Sequence, residues 1–379
     1  MKKLRLLTPG PTEVPPEVLA AMAAPIIHHR SAPARERFAR VQEMLRRLFF
    51  TRRPVHVLTG SGTAGMEAAV VNHFSPGEEV IVIQAGKFGR RWGEIARAYG
   101  LTVQALEAEW GEVVPAEQLA QVMANHPRCR GVLATHVETS TGTLFDVRAF
   151  AEVVDRSEAL LVVDAVASLG AVAFNMDDWG VDVAVSASQK ALMLPPGLAL
   201  VCASERAEKR WEQAQSARFY LDLRASRRAM DGGGTAFTPA LSLWAGLEKA
   251  LEMIHAQGLE NIWRETERLA AAARAGVSAL GLPPLSQSPA PSVTAARLPD
   301  AVDGRRLVEL LQERLGLYLG GGQDQLAGRI VRISHMGACD RLDVLAALAA
   351  LEAGLAELGR AVAPGAGVAA AVGAFATGA

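Results

Sequence analysis

A series of short apolar runs, each followed by a segment with helical spacing, dominates the first half of this 379-residue chain. The runs are Val55–Leu58, Glu79–Gln84, Leu101–Leu106, Gly131–His136, Ala159–Asp164, Val181–Ser186 and Leu198–Ala203. The segments between the earlier ones, Thr63–His73, Phe88–Tyr99, Pro115–Asn125 and Val147–Arg156, read as helices. Strands that are apolar on both faces cannot border water. Alternating with helices, they predict an α/β fold: a mostly parallel seven-stranded sheet covered by helices on both sides.

The flanks follow different rules. Leu7-Thr-Pro-Gly-Pro-Thr12 cannot be helical, because proline fixes φ and removes a donor. Residues 1–20 are therefore expected to form an extended arm. A helix is predicted over Ala34–Phe50, and a long helical region over Leu241–Ala275. Pro283-Pro284 and the Ser/Pro stretch Ser286–Ser292 mark a break. A smaller α+β unit follows: strand Val293–Arg297, helix Gly304–Leu315, strand Ile330–Ser334, helix Arg341–Leu358. The expected organisation is a large domain over 21–255 and a small one over 256–360. The tail over 361–379 is rich in Ala, Gly and Val, and is expected to be disordered or loosely helical.

Net charge is −1, which favours neither nucleic acid nor an anionic membrane as partner. No run reaches the roughly 20 apolar residues of a membrane span. The apolar stretch after Met1-Lys2-Lys3 stops too early for a signal peptide. Cys129, Cys202 and Cys339 are widely spaced and fit unpaired thiols in a reducing compartment. The histidines form no ligand cluster, so no metal site is expected. These points together predict a cytoplasmic protein.

Of six lysines, Lys2, Lys3, Lys87, Lys209 and Lys249 sit among charged or turn residues. Lys190 does not. It closes an apolar strand, behind Ser186-Ala-Ser-Gln189 and ahead of Pro195-Pro-Gly197. Burial disfavours the ammonium, lowers its pKa and leaves a nucleophilic amine able to bond a carbonyl carbon. The plain alternative is a lysine that snorkels from a strand end. Asp164 closes the neighbouring strand, where α/β proteins bind ligands at the carboxyl edge of the sheet. Its plain alternative is a helix cap.

Gly60-Ser-Gly-Thr-Ala-Gly65 lies between a strand and a helix. Backbone N–H groups at that helix start, with the hydroxyls of Ser61 and Thr63, suit a phosphate. A nicotinamide site would need an acid at the end of the next strand, and Ile83-Gln84-Ala85-Gly86 has none. A bare tight turn is the other reading. Amine, strand-end acid and phosphate cup together fit pyridoxal 5'-phosphate, which needs a lysine for its aldehyde and a carboxylate for its ring nitrogen. Phe88 is placed to stack on that ring, and Arg332 to clamp a substrate carboxylate. Their plain readings are loop packing and a surface ion pair.

Several blocks make the chain resemble the class V aminotransferases of fold type I, within them the alanine–glyoxylate and serine–pyruvate group. They are Thr8-Pro-Gly-Pro-Thr12, Gly60-Ser-Gly-Thr63, Glu138-Thr-Ser-Thr-Gly142, Val163-Asp-Ala-Val-Ala-Ser-Leu-Gly170, Ser186-Ala-Ser-Gln-Lys-Ala-Leu192, Thr238-Pro-Ala-Leu-Ser-Leu243 and Val331-Arg-Ile-Ser-His-Met-Gly337. The resemblance implies that Lys190 holds the cofactor and shuttles a proton. It implies that Asp164 pairs with the ring nitrogen, that Val166 and Phe88 pack on the ring, and that Thr139 meets its substituents. Ser61, Gly62, Thr63 and Gln189 would hold the phosphate. Gly10 and Arg332 would bind substrate. Thr235 or Thr238 would reach the phosphate of a neighbouring subunit, which implies a homodimer with shared sites. The chain departs from the group in two places: Phe88 stands where tryptophan is common, and no tyrosine lies near Thr235–Thr238. The implied reaction moves an amino group from a small L-amino acid, alanine or serine, to glyoxylate or pyruvate by a ping-pong mechanism. An aspartate donor, a lyase or desulfurase on the same scaffold, and a non-catalytic accessory subunit are the competing readings.

Overall fold

The computed structural model describes residues 3–377, so the first two residues of the arm and the last two of the tail lie outside it. The seven predicted strands form one seven-stranded sheet. Its spatial order is Val55–Gly60, Gly197–Ala203, Val183–Ala187, Leu160–Asp164, Gly131–Thr135, Glu79–Gln84 and Thr102–Glu107. Only Gly197–Ala203 runs antiparallel, against both neighbours; the other pairings are parallel. Every residue of the central strands Gly131–Thr135, Leu160–Asp164 and Val183–Ala187 is buried. That burial explains their unbroken apolar character. The carboxyl ends of Leu160–Asp164 and Val183–Ala187 lie at one edge of the sheet, as does the turn into the helix Gly62–His73.

A second, four-stranded sheet has the order Arg5–Leu7, Leu317–Gly321, Ile330–Ser334 and Val293–Arg297. The arm thus does more than run extended. Arg5–Leu7 pairs in parallel with Leu317–Gly321, and Pro16–Met22 turns helical. Leu317–Gly321 was not expected from the sequence, being short and glycine-ended. The long helical region is two helices, Leu241–Gln257 and Leu259–Ala279, split at Gly258 with φ +83°. A left-handed φ of that size suits glycine and ends a helix.

The tail departs from expectation. Ala366–Thr377 is a helix packed on Leu259–Ala279, with Ala371 fully buried. Small residues permit the close approach: a side-chain carbon on Gly276 would come within 3.0 Å of the Gly367 carbonyl oxygen. The missing polar cap comes from elsewhere. Glu352 accepts from the N–H groups of Gly365 and Gly367, both at 2.8 Å. A carboxylate at a helix start also meets the positive end of the helix dipole.

Candidate active site

The strand Val183–Ala187 ends in a loop held by Ser188, whose hydroxyl donates to the Pro195 carbonyl at 2.8 Å and accepts from Leu198 N at 3.1 Å. That loop presents Lys190 inward, 8% exposed. Its Nζ donates to the carbonyl of Pro9 in the arm. Thr12 fastens the arm, its hydroxyl donating to the Lys190 carbonyl at 2.7 Å and its N–H to the Gln189 carbonyl at 3.1 Å. Burial, and secondarily the Arg332 charge, lower the Lys190 pKa to about 8, against opposing pulls from Asp164 and Glu138. Gly10 sits against this amine with φ +137°, and a side-chain carbon there would lie 2.6 Å from Lys190 Nζ. Glycine suits that backbone, and any side chain there would have to displace Lys190 or the arm.

Asp164, also buried, ends the adjacent strand. Its Oδ1 accepts from Val166 N at 2.8 Å, so it shapes a turn and caps no helix. Burial raises its pKa to about 6; Glu138 adds to the rise, while the Val166 hydrogen bond, Lys190 and Arg91 oppose it.

The glycine loop opens the helix Gly62–His73 with Ser61 as N-cap, and the Ser61 side chain makes no capping bond. The first N–H groups of that helix therefore lack the acceptor that a serine cap commonly supplies. Gly65 lets the helix sit on the sheet, since a side-chain carbon there would be 2.7 Å from Val185. Gln189 Oε1 is buried without a hydrogen-bond partner among the described residues.

Phe88 stands at the start of the helix Lys87–Ala98, with the Arg91 guanidinium 4.9 Å from its ring centre. Arg91 Nη1 in turn donates to Thr63 Oγ1 at 3.2 Å. Arg332, on the strand Ile330–Ser334, is 7% exposed. It donates from Nη1 to the Thr139 carbonyl at 2.9 Å and from Nε and Nη2 to the Gly321 carbonyl at 3.0 and 2.8 Å. Burial lowers its pKa to about 10, with Glu138 opposing. A buried guanidinium that meets only carbonyls still favours an anion.

One cavity of about 280 Å³ gathers Gly10, Ser61, Gly62, Thr63, Phe88, Thr139, Asp164, Val166, Gln189 and Lys190, with Pro11, Met66, Arg91 and Pro196 completing its wall. Arg332 stands behind that wall, bonded to Thr139. Thr235 and Thr238 are not brought there. They line a separate cavity of about 460 Å³ beside Arg53, Arg227 and Trp244.

A family model described as aminotransferase class-V matches residues 5–341. The chain belongs to the class V aminotransferase family. It is 42% identical over 375 residues to a protein of Synechococcus sp. strain PCC 6716 named soluble hydrogenase, small subunit, with 97% of each chain covered. It is 37% identical to the L-aspartate–glyoxylate aminotransferase of Paracoccus denitrificans, covering 97% of this chain and 94% of that one. The crystal structure of ureidoglycine–glyoxylate aminotransferase from Bacillus subtilis superposes with a TM-score of 0.94 at 30% identity, covering 99% of each chain. The family, the fold and the enzyme class expected from the sequence are thus met.

This family's fold is one that uses pyridoxal 5'-phosphate, and the residues present fit that group. The helix start without a side-chain cap and the unpaired Gln189 acceptor, which would need a protonated phosphate oxygen or a water, lie in the same cavity as the buried amine and the buried acid. For a desulfurase the class V aminotransferase fold would need a reactive cysteine at the site. No cysteine lines this cavity, and burial raises the thiol pKa of Cys129, Cys202 and Cys339, that of Cys202 to about 12. Sequence reasoning missed Arg91 and the role of Glu138. Arg91 was within reach, because it lies three positions after Phe88 and so shares its helix face.

Proposed function

We propose that this enzyme binds pyridoxal 5'-phosphate in the Lys190 cavity and transfers the amino group of a small L-amino acid, alanine or serine, to glyoxylate or pyruvate. The two half-reactions use one site in turn, which gives a ping-pong mechanism. The observation that carries the reading is the shared cavity of a buried lysine and a buried strand-end aspartate, backed by a buried arginine whose hydrogen-bond partners are all carbonyls. The names of the Paracoccus and Bacillus relatives, both glyoxylate aminotransferases, support the acceptor.

Bound pyridoxal phosphate supplies an aldehyde carbon for the amino group and a protonated ring that draws electron density from the substrate Cα. The chain does the rest. Ser61, Gly62, Thr63 and Gln189 hold the phosphate, with the helix N-terminus behind them. Asp164 keeps a proton on the ring nitrogen, and that cation in turn favours the Asp164 carboxylate. Phe88 and Val166 pack on the ring, and Thr139 meets its substituents. Arg332 takes the substrate α-carboxylate as a two-point clamp, which fixes the Cα–H bond relative to the ring. Gly10 lines the substrate space. With the cofactor held there, Lys190 Nζ would be the base for the substrate Cα proton and, once protonated, the acid that gives it back, a role that contributes roughly 10²–10⁴-fold. The large unit over 21–255 thus holds the cofactor, while the small unit over 256–360 brings Arg332.

A homodimer belongs to the same reading: the partner's Thr235 or the partner's Thr238 reaches the phosphate. So does a cytoplasmic location, in keeping with free cysteines. An accessory role, as the Synechococcus name suggests, requires none of this machinery. Alanine, serine and aspartate, each offered with glyoxylate and with pyruvate, test the assignment. Transfer from alanine or serine to glyoxylate is expected. Aspartate as the preferred donor would change the substrate, and no transfer from any pair would overturn the function.

A further inference from the structure

The helix Lys87–Ala98 begins without a cap of its own, since Gly86 at the N-cap has no side chain. Its first three N–H groups go instead to a turn some fifty residues away. Phe88 N and Gly89 N donate to Glu138 Oε2 at 2.9 and 3.0 Å. Lys87 N donates to Ser140 Oγ at 3.0 Å. The other Glu138 oxygen, Oε1, accepts from Ser140 N at 3.1 Å and from Ser140 Oγ at 2.5 Å. Both oxygens are thus fully engaged on a carboxylate only 1% exposed. Gly86 makes room for it, because a side-chain carbon there would lie 2.3 Å from the Glu138 carboxyl carbon.

Between Glu138 and Ser140 sits Thr139, whose carbonyl receives Arg332 Nη1. We propose that Glu138 is a positioning residue that locks the Phe88 wall of the cavity to the turn whose Thr139 carbonyl orients Arg332. One carboxylate then sets both the ring-packing surface and the carboxylate clamp, without itself touching substrate. The proposal rests on the aminotransfer reading above. A carboxylate at this helix start is also favoured by the helix dipole, and four donors aimed at it leave no place for an amide NH₂.

Glu138→Gln puts such an NH₂ against donors at almost unchanged size. In this variant, KM for the amino donor and KM for the 2-oxo acid rise together by about tenfold or more, with a smaller fall in kcat. The dissociation constant of pyridoxal 5'-phosphate from the apo-protein, measured by equilibrium dialysis, rises by about tenfold as well. Ser140→Ala keeps the carboxylate and removes one of its bonds. It moves the same three constants the same way by about threefold, and it decides the matter if Glu138→Gln does not fold. A folded variant with a lowered Tm but unchanged KM values and cofactor affinity would reduce Glu138 to a structural role and overturn the proposal. A wild-type protein that binds the cofactor but transfers no amino group would instead sink the functional reading. The dialysis comparison would still report on the hold over Phe88.

Discussion

The amine of Lys190 donates its hydrogen bond to the carbonyl of Pro9, 181 positions earlier in the chain. The amino-terminal arm therefore roofs the lysine that the fold places at the strand edge, and Gly10 is the point of closest approach. The arm is anchored on the other side by Arg5–Leu7, which is a strand of the four-stranded sheet. The Lys190 cavity and the sheet that carries Arg332 are thereby tied through one short segment.

Gly10→Ala should cost activity. The new carbon meets Lys190 Nζ at 2.6 Å, and φ +137° is strained for alanine. Backbone strain of this kind costs about 1–3 kcal/mol, so either the arm lifts or the lysine shifts. We expect kcat/KM to fall by tenfold or more, with Tm lowered by only a few degrees. Unchanged kinetics would show that the arm does not set the position of Lys190.

Capture of pyridoxal 5'-phosphate by the apo-protein should accelerate with pH, with an inflection near pH 8. With its pKa lowered from 10.5 to about 8, Lys190 is neutral in about a tenth of molecules at pH 7, hundreds of times more than a free lysine. Arg332 is among the groups that lower this value, so Arg332→Met should move the inflection upward. Stopped-flow absorbance against pH measures both. An inflection near 10 in the wild type would contradict the buried-amine argument.

Asp164→Asn should separate stability from function. The folded pKa of about 6 lies above the ordinary aspartate value of 3.8, so the folded apo-protein binds the extra proton between those values. Its stability therefore falls as pH rises through that window and stays reduced above it. Asparagine removes the penalty and can keep the bond from Val166 N. The apo variant should be more stable than wild type at pH 7, by up to about 3 kcal/mol, and melt higher, while at pH 4 it should gain little. Its cofactor affinity should drop. A lower apo Tm at pH 7 would count against burial as the source of the shift.

Arg332→Lys keeps the charge and loses the planar fork. It also leaves the Thr139 and Gly321 carbonyls short of donors. KM for the amino donor and for the 2-oxo acid should both rise by about 10–100-fold, because both carry the same α-carboxylate. A rise for one substrate only would place Arg332 outside the shared clamp.

Lys190, Asp164 and the Ser61–Thr63 loop were legible in the sequence because each ends or begins a strongly apolar element, and such ends converge at one edge of a parallel sheet. Phe88 was legible from its place just after the strand Glu79–Gln84, whereas Gly10 was legible only through family resemblance. Glu138 was not, because its meaning lies in hydrogen bonds to Phe88 and Gly89 across about fifty residues. The strand Leu317–Gly321 was missed because two glycines end it and one of its two partners is the distant arm. The terminal helix was read as disordered or only loosely helical because its cap, Glu352, belongs to the preceding helix. In each case the deciding partner lies in another element of the fold. Local propensity carries no record of it.

The most direct test is reduction of the enzyme with borohydride after incubation with pyridoxal 5'-phosphate, followed by peptide mapping. The protein should be coloured and lose its colour on reduction, with the label fixed on Lys190. A colourless protein, or a label on Lys87, Lys209 or Lys249, would contradict this.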